Sequence, residues 1–218
     1  MNVLSTSLFQ RLTRPLALGL TLAVGATTLT GCLPLVAGGA LMSGLVVADR
    51  RTSGAQLEDQ GIELRAAARL RESLGEQVHI NVTSYNRQVI LTGEVPNAQD
   101  KAKAQDIAKG VDNVASTLNE LAIMVNSTLT ERSNDLITSG RIKASLLDAK
   151  DLFANAFKVT TERGVAYIMG RVTAREAKRA TEVISSVPGV KKVVRVLEII
   201  SEEELARLQP PVQTPSKN

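Results

Sequence analysis

The sequence predicts an α+β protein made of two copies of one small module. Each copy has the order α-β-β-α-β, with its helices packed on a three-stranded mixed sheet. The first observation is an internal repeat. Gly110-Val111-Asp112-Asn113-Val114 returns 79 residues later as Gly189-Val190-Lys191-Lys192-Val193. At an offset of 77, Val82-Thr83 matches Val159-Thr160, Gly93-Glu94-Val95 matches Gly170-Arg171-Val172, and Lys101 matches Lys178. A repeat of this length, present twice, indicates a duplicated small domain and not a solenoid. The second observation is strand-period alternation in Val78–Ser84. The third is helix-period spacing in Ala174–Val187, where Ala177, Ala180, Ile184 and Val187 share one face.

In chain order, residues 62–74 and 134–147 have helical character and open the two copies. Tyr85-Asn86-Arg87 turns the first strand into Val89–Val95. Glu162-Arg163-Gly164 makes the same turn into Val165–Val172. Asn97 is placed to cap a second helix running to about Lys109, whose counterpart is Ala174–Val187. Gly110 and Gly189 are expected to stop these helices in the left-handed conformation that glycine accepts. A third strand follows at 114–124 and again at 193–200.

The N-terminus reads as a targeting segment over residues 1–31. Arg11 and Arg14 precede an apolar run from Leu16 to Leu29. An ordinary signal peptide would explain that much. Cys32, however, is the only cysteine, and an unpaired thiol in an exported protein calls for an explanation. Leu29-Thr30-Gly31-Cys32 resembles the lipobox of bacterial lipoproteins. The resemblance implies diacylation of Cys32, cleavage before it, and a stable anchor of several acyl chains. Leu33, and not Asp, follows the cysteine, and by the rule for such lipoproteins this points to the outer membrane, periplasmic face. Residues 32–54 are expected to be an apolar linker. Its uncharged stretch 33–48 is shorter than the roughly 20 residues of a spanning helix. It reads as a spacer beside the anchor, with a second membrane contact as the alternative, and Asp49, Arg50 and Arg51 mark the exit into water. The two modules then occupy 55–126 and 127–200. Residues 201–218 read as a solvated, polar and Pro-rich tail.

A search for chemistry finds little. His79 is the only histidine, and its repeat partner is Ala156, so the module does not require it. It reads as a surface or edge residue. One His and one lipidated Cys cannot assemble a zinc site. There is no Gly-x-Ser-x-Gly elbow and no phosphate loop of the Walker type. Aromatics are limited to two Tyr and three Phe, which weighs against stacking platforms for nucleic acid. The expectation is a protein that is not an enzyme, with no metal, no cofactor, no small-molecule substrate and no nucleic-acid partner.

The order of elements, Val89–Val95 with its central Gly93, Gly110-Val111-x-x-Val114 and their second-copy equivalents resemble the BON domain, a small bacterial envelope module. A lipobox followed by two such domains resembles the family of division- and outer-membrane-stress-associated, lipid-binding lipoproteins. Lys158-Val-Thr-Thr-Glu162 and Arg175-Glu-Ala-Lys178 are similar to that family too. The resemblance spans roughly residues 29–200. It implies phospholipid contact through the first helix of the second domain, a role in envelope integrity, and a place at curved or cardiolipin-rich zones such as the division site.

The charges differ between the copies. The net charge is +4, falling to +2 without residues 1–32, so only regional arguments apply. Residues 55–126 hold seven Lys/Arg and ten Asp/Glu, a net −3; residues 127–200 hold thirteen and eight, a net +5. Drift among solvated side chains is one reading. The other is that the second copy faces an anionic surface, where each cation contributes about 1 kcal/mol. On its first helix, Ile142 and Leu146 share a core face with Thr138 and Ser139. Leu136, Ile137, Gly140, Ala144 and Leu147 form a second apolar stripe, flanked by Arg141 and Lys143. That pattern suits an interfacial helix; packing of the stripe against the first domain is the alternative. Relatives can carry an aromatic near the start of this helix, where Ile137 stands here. The expected partner is an anionic membrane of phosphatidylglycerol or cardiolipin. The competing class is an adaptor that docks an envelope enzyme, a secretion component or an assembly machine.

Overall fold

Each copy begins with a helix capped by a threonine just upstream. In the computed structural model, which describes residues 49–208, the Thr52 side chain accepts from the Ala55 amide and opens α1, Ser53–Leu74. The helix therefore starts nine residues before the predicted 62, through a polar stretch that has no apolar period. Ile62, Ala66, Leu70 and Leu74 recur every four residues and are buried. The second copy uses a full capping box, with Thr128 and Glu131 exchanging hydrogen bonds, to open α3, Leu129–Asp148.

Two hairpins follow these helices. β1, His79–Tyr85, pairs antiparallel with β2, Gln88–Val95. β5, Phe157–Glu162, pairs antiparallel with β6, Val165–Thr173. Both have two-residue turns at positive φ, Asn86-Arg87 (52° and 66°) and Arg163-Gly164 (50° and 76°), the twist that tight hairpins favour. A buried aspartate on the preceding helix ties each turn. Asp59 accepts from the amides of Asn86 and Arg87 at 2.7 and 2.8 Å. Asp135 accepts from those of Arg163 and Gly164 at 2.6 and 2.9 Å. The central strands need glycine for close approach: a Cβ on Gly93 would lie 2.1 Å from the His79 carbonyl oxygen, and one on Gly170 would lie 2.3 Å from that of Ala156.

Asn97 caps α2, Ala98–Lys109, as predicted, and Thr173 caps α4, Ala174–Ser185, with a second capping box. In copy one the third strand is broken into β3, Ser116–Asn119, and β4, Ala122–Ile123. The Asn119 side chain accepts from the Leu121 amide and donates to the Lys101 carbonyl, so the chain steps out of register between them while Leu121 enters the core. Both β3 and β4 run parallel to β2, giving a four-stranded mixed sheet. In copy two, β7, Lys192–Ile200, runs parallel to β6 without a break and closes a three-stranded mixed sheet. Each sheet is covered on one face by its two helices, with one apolar core per copy.

Several boundaries depart from the sequence reading. Gly110 does sit at the end of α2, but at φ −79°; the left-handed residue is Asn113 at 70°. Gly189 is left-handed at 101°, yet it lies beyond the Ser186 cap of α4. A Cβ there would meet Thr138 Oγ1 at 2.8 Å, so that glycine permits the corner to approach α3. The tail starting at 201 opens with a further helix, α5, Glu202–Leu208. Acids in its first turn favour it, Leu205 is buried, and Glu204 pairs with Arg171. Asp49–Arg51 do not exit into water. The Arg50 side chain is 5% exposed and forms a bidentate pair with Glu176 of copy two at 2.7 Å. Arg51 pairs with Asp59 of copy one at 2.6 Å and lies 4.2 Å from the Tyr85 ring centroid. Cys32, the signal segment 1–31, the stretch 33–48 and residues 209–218 lie outside the described residues.

The two sheets meet face to face in a third cluster of Tyr85, Ile90, Tyr167, Met169 and Val196. Repeat-equivalent residues meet along this seam, with Thr83 Oγ1 3.3 Å from Thr160 Oγ1. Lys158 reaches Glu63 at 2.5 Å and the Ser84 carbonyl at 3.1 Å; Asn86 donates to Glu198 at 2.9 Å.

Candidate functional site

α3 presents two faces because its sequence has two apolar rows. Asp135, Thr138, Ile142 and Leu146 are buried and hold the helix to its sheet. The seven residues singled out from the sequence, Leu136, Ile137, Gly140, Arg141, Lys143, Ala144 and Leu147, are all exposed. Leu136, Ile137 and Leu147 are 75, 52 and 67% exposed, so the stripe does not pack on the first domain. One residue was missed: Leu129, 80% exposed, falls on the same line. At 100° per residue, Leu129, Leu136, Gly140 and Leu147 lie within about 40° of one another, along about 27 Å of helix. Ala144, Ile137 and Arg141 continue round one side, with Lys143 on the other. The spacing of Leu129 from Leu136 would have revealed it, but the predicted helix began too late to include it.

The electrostatics of α3 are one-sided. Arg141 and Lys143 form no ion pair among the described residues. The Asp135 carboxylate is turned inward on the hairpin amides, which leaves Asp148 as the next acid along the helix. Among the described residues no helix is long and apolar enough to cross a membrane.

Beside α3 lies a cleft of about 330 Å³ between the helix and the neighbouring edges of β1 and β5. At one end of this seam stands His79, read from the sequence as a surface or edge residue; it does lie on the edge strand β1, but its side chain is largely buried. Its Nδ1 lies 2.8 Å from Glu94 Oε2. Glu94 is fully buried and also accepts from the Ser127 amide and hydroxyl and, across the seam, from Arg163 at 2.5 Å. Burial disfavours the Glu94 carboxylate, but the bonds from His79, Ser127 and Arg163 outweigh it and hold its pKa below the usual value. Glu162 is the opposite case. Burial raises its pKa, reinforced by Glu94 and Asp135, and the Asn81 amide offsets this only in part. His79, Glu94 and Glu162 are close enough together to be weighed as metal ligands. Glu94 already has its oxygens occupied by donors that a cation would have to displace, and Arg163 adds a positive charge beside them.

This architecture, a pair of α-β-β-α-β domains that share a seam, defines the class. The chain belongs to the BON-domain family, whose domain model matches residues 59–124 and 134–201. Among named relatives, it is 32% identical over 184 residues to the outer membrane lipoprotein DolP of Haemophilus influenzae, covering 83% of this chain and 95% of that protein. It is also 32% identical to a 21 kDa hemolysin of Actinobacillus pleuropneumoniae, over 70% of this chain and 79% of that one. A third relative is the osmotically-inducible protein Y of Escherichia coli, 28% identical over 63% of this chain and 70% of that one.

Proposed function

We propose that this chain is a non-enzymatic outer-membrane lipoprotein, anchored through Cys32 on the periplasmic face, whose second BON domain lies on anionic phospholipid. The observation that carries the reading is the exposed stripe of α3, apolar along its centre and bordered by Arg141 and Lys143, which form no ion pair among the described residues. Leucine and isoleucine side chains enter the headgroup boundary while the cations meet phosphates. A tethered domain needs little further affinity to lie down on its membrane, because the tether raises its effective concentration. The net +5 of this copy against −3 of the other favours the same face. The likeness to an outer membrane lipoprotein supports the location. In this reading the protein supports envelope integrity, with anionic zones such as the division site as its place of action.

Flotation with vesicles tests it. A fragment from residue 47 onward, which keeps both cores and the Asp49–Arg51 contacts, is expected to float with phosphatidylglycerol or cardiolipin, not with phosphatidylcholine, and to be released by salt. Ile137→Asp and Leu147→Asp are expected to weaken flotation while changing stability by no more than about 0.5 kcal/mol, as exposed substitutions do. Failure to bind anionic vesicles would sink the lipid reading and favour a protein-docking adaptor.

A further inference from the structure

We propose that the free edge of β7 is where a second copy of this chain adds, β7 against β7 and antiparallel, so that two second domains share one continuous sheet. The membrane reading above supplies only the orientation of the pair. β7 runs unbroken from Lys192 to Ile200, and among the described residues its outer edge pairs with no strand. The equivalent edge of copy one is interrupted between β3 and β4, which blunts it against pairing. The ladder tells which groups of β7 are free. Val165 pairs with Glu162 across the hairpin turn, so alternate residues of β6 from Val165 onward bond β5, while Ala166, Ile168 and Gly170 bond β7. In a parallel ladder each of these reaches the two neighbours of the residue opposite it. Copy one shows this directly: Leu91 lies opposite Asn119, yet its carbonyl accepts from the Glu120 amide at 2.9 Å. Val193, Arg195, Leu197 and Ile199 therefore stand opposite β6 without bonding it, and turn their amides and carbonyls outward. A row of unpaired groups of this kind is a template for another strand.

The order of charges selects the occupant. Lys191, Lys192 and Arg195 stand in the first half of this edge, and Glu198, Glu202 and Glu203 stand in its second half or just beyond. The three cations form no ion pair among the described residues, and Glu202 has only a loose, exposed contact with Arg175 at 3.5 Å. An antiparallel copy brings the cationic half of each strand to the acidic end of the other, whereas a parallel copy would set like charge on like. Centred on Leu197, the pairing sets Lys192 level with Glu202, and Lys191 level with Glu203, of the second copy. Arg195 then stands opposite Ile199, which is 55% exposed in the single chain. A two-fold axis normal to the shared sheet keeps the helices of both copies on one face. The stripe of α3 lies on the side away from its core residues, so the two stripes point the same way, as two molecules anchored in one leaflet require. The tethers also raise the effective concentration for a pairing too weak to persist in dilute solution.

The test uses the full-length lipidated protein in vesicles of phosphatidylglycerol and phosphatidylcholine. With Cys32 acylated, an introduced cysteine is the only free thiol. Arg195→Cys and Ile199→Cys variants, both at exposed positions, are reconstituted separately and together, then mildly oxidised. Opposed residues in this pairing have Cα atoms about 5.5 Å apart, the separation that a disulfide spans. Either residue and its own counterpart are out of register by about 13 Å, at roughly 3.3 Å per residue. The mixed sample is therefore expected to form the disulfide dimer, and each variant alone is not. Reversing Lys191 and Lys192 to Glu is expected to lower the yield about tenfold, the scale of two cross-strand ion pairs turned into like charges. Adding Glu202→Lys and Glu203→Lys is expected to restore it; all four side chains are exposed, so folding is spared. Equal dimer yield from either variant alone, or from Lys178→Cys on the exposed face of α4, means random collision and overturns the proposal. Absence of the mixed disulfide overturns it too and leaves the edge to another extended chain, as does failure of the charge swap to restore the yield. The two readings fail separately: flotation without the disulfide removes the edge pairing alone, and the disulfide without flotation of the lipid-free fragment removes the membrane face alone.

Discussion

Glu94 and Glu162 occupy the same seam and respond to pH in opposite directions. The depressed pKa of Glu94 means that its contribution to stability is present above the ordinary carboxylate range and is lost as pH falls through its folded value. The raised pKa of Glu162 means that its contribution is present below about pH 4.3, the ordinary value for glutamate, and is lost as pH rises through its folded value. Burial thus makes ionised Glu162 less favourable in the folded protein than in the unfolded chain. Glu162→Gln is expected to raise the thermal midpoint at pH 7, with the gain disappearing below about pH 4, when the acid is protonated in both states. Unfolding scans across pH measure this. Glu94→Gln should do the reverse, costing about 3 kcal/mol at pH 7, because it leaves Arg163 facing a neutral group in a largely buried site.

At the scale of elements, the strand glycines are the most restrictive positions. Gly93 combines a φ of 115° with a position where a Cβ would overlap the neighbouring strand at 2.1 Å. Gly93→Ala is expected to cost about 3 kcal/mol by straining the β1–β2 ladder, measured by urea unfolding of the fragment from residue 47. The same substitution at Gly110 should be mild, because φ there is −79° and the nearest atom to a Cβ is 3.4 Å away. The two glycines of the repeated five-residue pattern therefore do different work. Gly110 ends a helix in an ordinary conformation. Gly189 lets a corner carrying Lys191 and Lys192 approach Thr138 of α3. The repeat marks the duplication correctly, but a shared pattern does not imply a shared conformation.

At the scale of the molecule, the chain just before α1 joins both domains. Arg50 binds Glu176 in the second copy with both side chains about 5% exposed or less, while Arg51 binds Asp59 in the first. A fragment starting at residue 55 loses both contacts and leaves two buried carboxylates without their guanidinium partners. It is expected to be less stable than the fragment from residue 47 by about 3 kcal/mol or more, the cost of breaking a buried pair. Denaturant unfolding of the two fragments compares them. With the contacts present, the shared cluster of Tyr85, Ile90, Tyr167, Met169 and Val196 should make the two domains unfold in one transition.

The sequence by itself determined the duplication, the order of elements, the hairpin turns and the two faces of α3. Each of these is written in local periodicity, in turn residues such as Asn86-Arg87, or in self-alignment. The break between β3 and β4, the helix after Ser201 and the inward course of Arg50 and Arg51 were decided only by the tertiary structure. So was the role of His79, whose repeat partner is an alanine. The physical reason is common to all of them. A charged side chain looks solvated in a sequence until its partner is known, and here the partners lie far along the chain: Glu176 is 126 residues from Arg50, and Glu94 is 69 residues from Arg163. The stripe on α3 was legible because it depends on one helix alone, whereas the cleft beside it needs walls from both domains and exists only once they are packed together.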